Sequence, residues 1–404
     1  MGFNAIFLNP IHYTGFSGSL YAVKDYYRFN PLFFPGSTED ENKKLFMNFV
    51  GQCHKSGMKC IIDLVINHTA KDSELTVQHK DWYVLKEGKI QSPGVWSGNK
   101  KVVEWGDLAE IDNKNSPDCE ALWQYWKELL NYYTEMGIDG FRCDAAYQVP
   151  NELWQVLISH AKDLKKGCLF LAESLGCTIQ ETVGLVEAGF DYVFNSVKYW
   201  DFTEEWALDQ HNILFRNRAR SISFPESHDT RRVAEEFDKD IRQAKLRYLL
   251  TAVFSSGVMI PLGYEFGFTK KTDVKSTTPD DWEAPSYDLQ DFILKVNEIK
   301  KQYPIFHEDS EIRLISNKFD PVLSLLMIAS DQKSKVFIIL NKDRNNYKRF
   351  FHPHLHALLQ SSQIRDISPE NVMTEEIPDS MEYWLQPSQI KIFYSSTNDS
   401  KEGK

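Results

Sequence analysis

Seven short apolar runs recur between residues 5 and 262, each separated from the next by a stretch long enough for a helix. They are Ala5–Asn9, Cys60–Ile66, Ile138–Cys143, Cys168–Ala172, Tyr192–Asn195, Ser221–Phe224 and Val258–Leu262. Amphipathic segments lie between them at Glu41–Lys55, Asp118–Glu135, Asn151–Lys165 and Ala234–Phe254. Short buried strands alternating with helices predict parallel βαβ units. Seven of them fit a (β/α) barrel better than an open doubly wound sheet. Ionisable residues gather where the runs end. His68 follows the second run, Asp144 closes the third, Glu173 the fourth, and His228 and Asp229 lie just beyond the sixth. A barrel keeps its active site on the face where its strands end. Four separate strands delivering such groups to one rim is hard to explain by folding alone.

The pattern changes after Glu308. Alternating segments at Glu311–Ser316, Leu323–Ala329, Lys335–Leu340 and Ile390–Tyr394 predict an antiparallel β-sandwich. The expected organisation is a barrel over 1–308, a sandwich over 309–395 and a frayed polar tail over 396–404. The connection after the second run is too long for an ordinary strand-to-helix loop and carries Gly, Pro and Trp. It predicts a small protruding subdomain over 69–117.

A formal net charge of -11 argues against nucleic acid and anionic membrane as partners, since both reward clustered Lys and Arg. A neutral ligand is indifferent to that charge. No apolar run approaches the ~20 residues that span a bilayer, and the first residues have no basic region or small-residue cleavage site. The six cysteines are scattered without a CxxC pair, which predicts reduced thiols in a cytoplasmic protein. Aromatics make up 13% of the chain with ten Trp, a composition that suits sugar stacking and large core residues equally.

In GFRCDAA, residues two apart on a strand point the same way, so Arg142 and Asp144 share the barrel interior while Cys143 faces outward. A cation beside a carboxylate keeps it ionised, as a nucleophile requires. Glu173 ends an otherwise apolar strand, where a carboxyl with a raised pKa can carry a proton to a leaving group. Singly, each has a plainer explanation: a structural ion pair for Arg142 and Asp144, a helix cap for Glu173, an N-cap for the His228–Asp229 pair. Their order on successive strands carries the weight.

DLVINH (63–68), GFRCDAA (140–146), the glutamate of LAES (Glu173) and PESHDT (225–230) resemble, in order and separation, the four signature regions of the α-amylase family of glycoside hydrolases. GSLYAVKDYYRFNP is similar to a further family stretch, and the resemblance covers roughly residues 1–300. It implies a (β/α)8-type TIM barrel with a C-terminal β-domain, and a retaining enzyme of α-1,4-linked glucans or maltooligosaccharides. Asp144 would attack the anomeric carbon and form a covalent glycosyl-enzyme, Glu173 would serve as general acid and base, and Asp229 would grip the sugar hydroxyls in the transition state. His68 and His228 would bond the same sugar, Tyr21 would pack against it, Arg142 would orient Asp144, and Arg232 matches an arginine of the fourth region.

The chain also departs from the family pattern. Where the second region often ends in Lys-His, this sequence has Tyr147 and Gln148. An aromatic, uncharged acceptor side favours a second sugar over water, so a 4-α-glucanotransferase or maltosyltransferase is the alternative activity, and a sugar-binding relic without turnover is another. No cofactor is required by the resemblance. A structural calcium is an option through Asn67, with Asp107, Glu110 or Asp112 as further oxygen ligands. GFNAIFLNPIH looks like the family's second barrel strand, so the first strand and helix are expected to be lacking, as in a chain begun at an internal methionine or a decayed gene.

Overall fold

A computed structural model describes residues 1–97 and 100–396. The expected tail lies outside the described residues from 397 on. The chain divides into two compact units, one of 3–194 with 273–278, the other of 1–2, 195–272 and the chain from 279 on.

In the first unit five parallel strands follow one another: β1 (Ala5–Leu8), β2 (Lys59–Leu64), β3 (Gly140–Cys143), β4 (Leu169–Ala172) and β5 (Tyr192–Phe194). Every residue of β3, and all of β2 after Lys59, is buried, the condition of a parallel strand covered on both faces. The crossovers are α1 (Glu39–Lys55), α2 (Cys119–Glu135), α3 (Asn151–Leu164) and α4 (Ile179–Glu187). Local sequence sets their ends. The Thr38 hydroxyl accepts from the Glu41 N–H, and three acidic residues fill the first turn of α1, opposite His54 and Lys55 in its last. Thr178 and Glu181 form a reciprocal capping box at α4. The long connection after β2 folds into short antiparallel pairs, Leu85–Lys86 with Lys89–Ile90, Gly94–Ser97 with Lys100–Glu104, and His68–Ala70 with Leu108–Glu110.

The second unit continues the alternation with β6 (Ser221–Ser223) and β7 (Gly257–Val258), which pair in parallel. Its helices are α5 (Trp206–Arg216), α6 (Val233–Glu236), α7 (Ile241–Phe254) and α8 (Gln290–Gln302). The sequence predicts one helix over Ala234–Phe254. The structure breaks it at Phe237–Asp240, where Asp238 and Lys239 are left-handed (φ 52° and 61°) and Asp240 caps α7 through the Arg242 N–H at 3.0 Å. The run Val258–Leu262 yields a strand only at its start, because Pro261 has no N–H for a ladder.

The architecture is that of a (β/α)8 barrel followed by an antiparallel β-domain. The first strand and helix of such a barrel have no counterpart among the described residues. In the β-domain the strands are β8 (Glu311–Leu314), β9 (Val322–Ile328), β10 (Ser334–Asn341), β11 (Lys348–His352), β12 (Ile364–Asp366), β13 (Met381–Leu385) and β14 (Ile390–Ser396). They form one sheet in the order β8-β9-β10-β14-β12 and a second of β11 with β13. Phe337, Ile339 and Phe393 of the first sheet pack against Phe350, Met381 and Leu385 of the second, which makes a sandwich. Asn212 of α5 exchanges two hydrogen bonds with the backbone of Ile312 in β8, at 2.8 and 3.1 Å. Among the described residues no helix is long and apolar enough to cross a membrane.

Inside the sandwich Lys391 and Asp366 form an ion pair with both side chains fully buried. The same carboxylate accepts from the N–H of Ser368 at 2.9 Å and of Met373 at 2.8 Å. Replacing Lys391 by Met leaves that charge without a counter-ion. A loss of about 3–5 kcal/mol is expected from urea unfolding at neutral pH, whereas Lys391→Arg should cost less.

Candidate active site

β2 and β3 pair so that Asp63 and Arg142 stand directly opposite. Both are buried, and one guanidinium nitrogen of Arg142 reaches Asp63 Oδ1 at 3.0 Å, Asp63 Oδ2 at 3.1 Å and Asp144 Oδ1 at 2.7 Å. The Tyr21 hydroxyl donates to Asp63 Oδ2 at 2.8 Å, and the guanidinium lies 5.9 Å from the Tyr21 ring centre. One cation thus serves two carboxylates. Burial pushes the Asp63 carboxyl up to about 6, with the Arg142 charge opposing the rise and the Asp144 charge adding to it.

Asp144 and Glu173 stand one residue past β3 and β4, yet the ladder still holds them. The Asp144 N–H donates to the Leu64 carbonyl and the Glu173 N–H to the Cys143 carbonyl, both at 3.1 Å. Cys143 and Ala172 are partners in register, which makes Asp144 and Glu173 the next pair across adjacent strands. The Glu173 side chain receives two backbone N–H groups, Ala145 on Oε2 and Leu175 on Oε1, each at 2.9 Å. Ala145 presents its N–H from a left-handed conformation (φ 40°), a strained state for an alanine and of a kind that clusters at functional sites. Burial pushes the Glu173 carboxyl up to about 7. Arg142 and the two N–H groups pull against that rise, and the Asp144 charge adds to it. Two carboxyls on neighbouring strands are therefore held in different environments: Asp144 against a cation, Glu173 in a largely buried site.

His68 is buried, and burial holds its pKa below the usual histidine value. Its Nε2 lies 3.1 Å from the Tyr21 carbonyl, which can only accept, so the proton sits on Nε2. Nδ1 is then an acceptor with no partner among the described residues. Tyr147 is half-buried in the 3₁₀ turn Ala146–Gln148, and burial raises its hydroxyl to about 12, so it is neutral.

In the second unit His228 and Asp229 lie past β6. The His228 Nε2 is 3.0 Å from Asp229 Oδ2, and the Asp229 side chain is 63% exposed. Arg232 is buried, and each of its guanidinium nitrogens is bonded to protein: Nη1 to Glu226 at 2.7 Å, Nε to the Lys270 carbonyl at 3.2 Å, Nη2 to the Leu262 carbonyl at 3.1 Å and to Thr272 at 3.2 Å. Its guanidinium fastens the turn that carries His228 and Asp229.

Asn67, Asp107 and Asp112, three of the residues offered for calcium, have protein partners. Asn67 keeps a buried, unpartnered Oδ1, but its amide nitrogen donates to the Gln148 side chain at 3.2 Å. Asp107 faces Lys275 at 3.5 Å, and Asp112 accepts from the N–H groups of Lys114 and Asn115. Among the described residues no three His, Cys, Asp or Glu side chains gather as a cation site.

Residues 1–165 match the model of the α-amylase catalytic domain. Over this stretch the chain is similar to the α-amylase family. It is 24% identical to an alpha-1,4-glucan:maltose-1-phosphate maltosyltransferase of Burkholderia pseudomallei, over 67% of this chain and 24% of that protein. It is 23% identical to a maltogenic alpha-amylase of Bacillus acidopullulyticus, over 86% of this chain and 61% of the relative. The chain thus spans about a quarter of the length of the first of these relatives and about three fifths of the second. An alpha-amylase from Lactobacillus plantarum shares the fold with a TM-score of 0.73 at 21% identity, over 97% of this chain and 91% of that structure.

Asp63 and Glu226 are not among the site residues expected from the sequence, yet each is buried and pairs with a buried arginine. A signal for Asp63 was present, since a carboxylate in the middle of CIIDLVI must meet a cation if the run is a buried strand. Its folded pKa of about 6 lies above the unfolded carboxylate value, so Asp63 favours folding at low pH and opposes it as pH rises through about 6. Arg142→Gln removes the opposing cation and enlarges that loss. A penalty of about 3 kcal/mol is expected at pH 8 and a clearly smaller one at pH 5, read from urea midpoints at the two values.

Proposed function

We propose that the protein is a retaining α-glycosidase acting on α-1,4-linked glucans or maltooligosaccharides. Asp144 is the nucleophile, Glu173 the general acid and base, and Asp229 the third carboxylate, which binds sugar hydroxyls. The observation that carries the reading is the placement of Asp144 and Glu173 as neighbours on adjacent parallel strands. Such strands lie about 4.8 Å apart, close to the ~5–5.5 Å between carboxyls that the double-displacement route needs. An inverting enzyme has to fit a water between them.

In the first step the Asp144 carboxylate bonds to the anomeric carbon as the glycosidic oxygen departs with the Glu173 proton. In the second, Glu173 takes a proton from water or a sugar hydroxyl, and that oxygen displaces Asp144. Arg142 fixes Asp144 in orientation through its 2.7 Å hydrogen bond. His68, neutral with Nδ1 free to accept, suits a sugar hydroxyl donor. No step calls for a metal or cofactor. The six cysteines are free thiols, which supports a reducing compartment and hence the cytoplasm.

Transfer to a second sugar is the alternative. It is favoured by Tyr147, a neutral aromatic beside Glu173, and by the maltosyltransferase among the relatives. Maltoheptaose with Asp144→Asn as the blank separates the two activities. Products longer than maltoheptaose appearing early mark transfer, and reducing ends rising without elongation mark hydrolysis.

Glu173 must be protonated to act as the acid, and its pKa is about 7. The rate is expected to fall as pH rises through about 7, with a slope of one proton in the kcat/KM profile. Glu173→Gln should slow maltoheptaose cleavage by about 10²–10⁴. The kcat/KM for α-glucosyl fluoride, which reports the first step alone, should fall much less, because fluoride leaves without a proton.

A further inference from the structure

The antiparallel pair of His68–Ala70 with Leu108–Glu110 belongs to the same compact unit as Asp144 and Glu173. A third segment, residues 15–22, lies against it. A Cβ on Gly15 would fall 2.4 Å from the Ala70 Cβ and 2.4 Å from Asp72 Oδ1, so the approach needs glycine. The Gly15 N–H then donates to the Ala22 carbonyl at 2.8 Å and the Phe16 N–H to Asp72 Oδ1 at 3.2 Å. Ala22, Ala70 and Leu108 close into a small buried cluster, and Trp105 packs against it while staying only partly buried.

The turn that carries the indole is held on several sides. The Trp105 N–H donates to the Pro93 carbonyl, and the Trp105 carbonyl accepts from the Leu108 N–H, both at 3.0 Å. Asp107 of the same turn accepts from the Ser17 hydroxyl and faces Lys275 at 3.5 Å, and its carbonyl accepts from the Lys71 N–H at 3.0 Å. The indole so placed is the neighbour of His68, with ring centroids 6.4 Å apart and planes tilted by 54°. Burial lowers the His68 pKa, and the charges of Asp144 and then Asp107 pull against it, so the ring also feels the carboxylate of the proposed nucleophile.

His68 is 2% exposed, and its Nδ1 has no partner among the described residues. Buried acceptors are ordinarily paired, and a ligand hydroxyl would pair this one. Beside it Trp105 supplies a large flat apolar surface on a fixed turn, with little conformational entropy left to lose. A sugar ring matches both groups, with hydroxyls around its edge and C–H bonds on its faces.

We propose that Trp105 packs against the glycosyl unit whose hydroxyl His68 accepts, and so is a specificity-determining residue for the sugar that Asp144 attacks. The assignment rests on the α-glucan reading above. It gives Trp105 a different part from Tyr147, the aromatic assigned to the acceptor side, because a contact on the glycosyl unit acts whatever the leaving group.

α-Glucosyl fluoride isolates that contact, since its leaving group fills no sugar site. Trp105→Ala is expected to lower its kcat/KM about tenfold, and Trp105→Phe to restore most of it. An unchanged kcat/KM overturns the contact. A second arm leaves the residue in place. In the Asp144→Asn chain grown with 5-fluorotryptophan, the fluorine resonance that Trp105→Phe removes should shift saturably as maltotriose is added. A resonance that stays still while calorimetry detects maltotriose binding overturns the contact and leaves the α-glucan reading standing. No binding of maltotriose by this chain overturns the α-glucan reading, and the assignment of Trp105 with it.

Discussion

A guanidinium removed from water is costly unless anions and hydrogen bonds replace its hydration. Arg142 is buried between β2 and β3, and its replacement shell is Asp63 on the facing strand and Asp144 at the end of its own. The same contact does two jobs. It neutralises a carboxylate placed in the middle of an apolar strand, and it fixes the carboxylate on which the proposed chemistry turns. Tyr21 depends on it too, because its hydroxyl is spent on Asp63. Stability and site geometry share one interaction, so they should fail together when Arg142 is changed.

Around that cation the two carboxyls of the proposed mechanism are driven apart in character. Asp144 touches Arg142 directly, whereas among the described residues the Glu173 carboxyl is bonded to two backbone N–H groups. The contribution of His68 is of the same kind. Burial lowers its pKa and its bond to Tyr21 selects the tautomer, so that Nδ1 is left as the accepting nitrogen.

Much of this was legible in the sequence because period and position carry it. Asp144 and Glu173 close apolar runs, and all seven runs became strands. What could not be read were features decided by distant partners. Asp63 has a role only once β3 places Arg142 opposite it. Arg232 looked like a substrate ligand by motif, but the carbonyls of Leu262 and Lys270, dozens of residues away, take its donors. The split of α6 from α7 was hidden for another reason. The apolar period runs on through Phe237, and only the left-handed pair Asp238 and Lys239 with the cap at Asp240 interrupts it.

The ladder that continues past Cys143 and Ala172 has a wider consequence. Because Asp144 and Glu173 are held by strand backbone rather than by loops, their separation is quantised in units of sheet spacing. Neighbouring strands give about 4.8 Å, and moving one carboxylate a strand further would give roughly 9–10 Å. The second value sits at the upper edge of the ~6.5–9.5 Å that single displacement by water requires. On the proposed reading, the stereochemistry of the product is set by which strands carry the acids. The connections on the rim could be lengthened, shortened or exchanged during divergence without disturbing it.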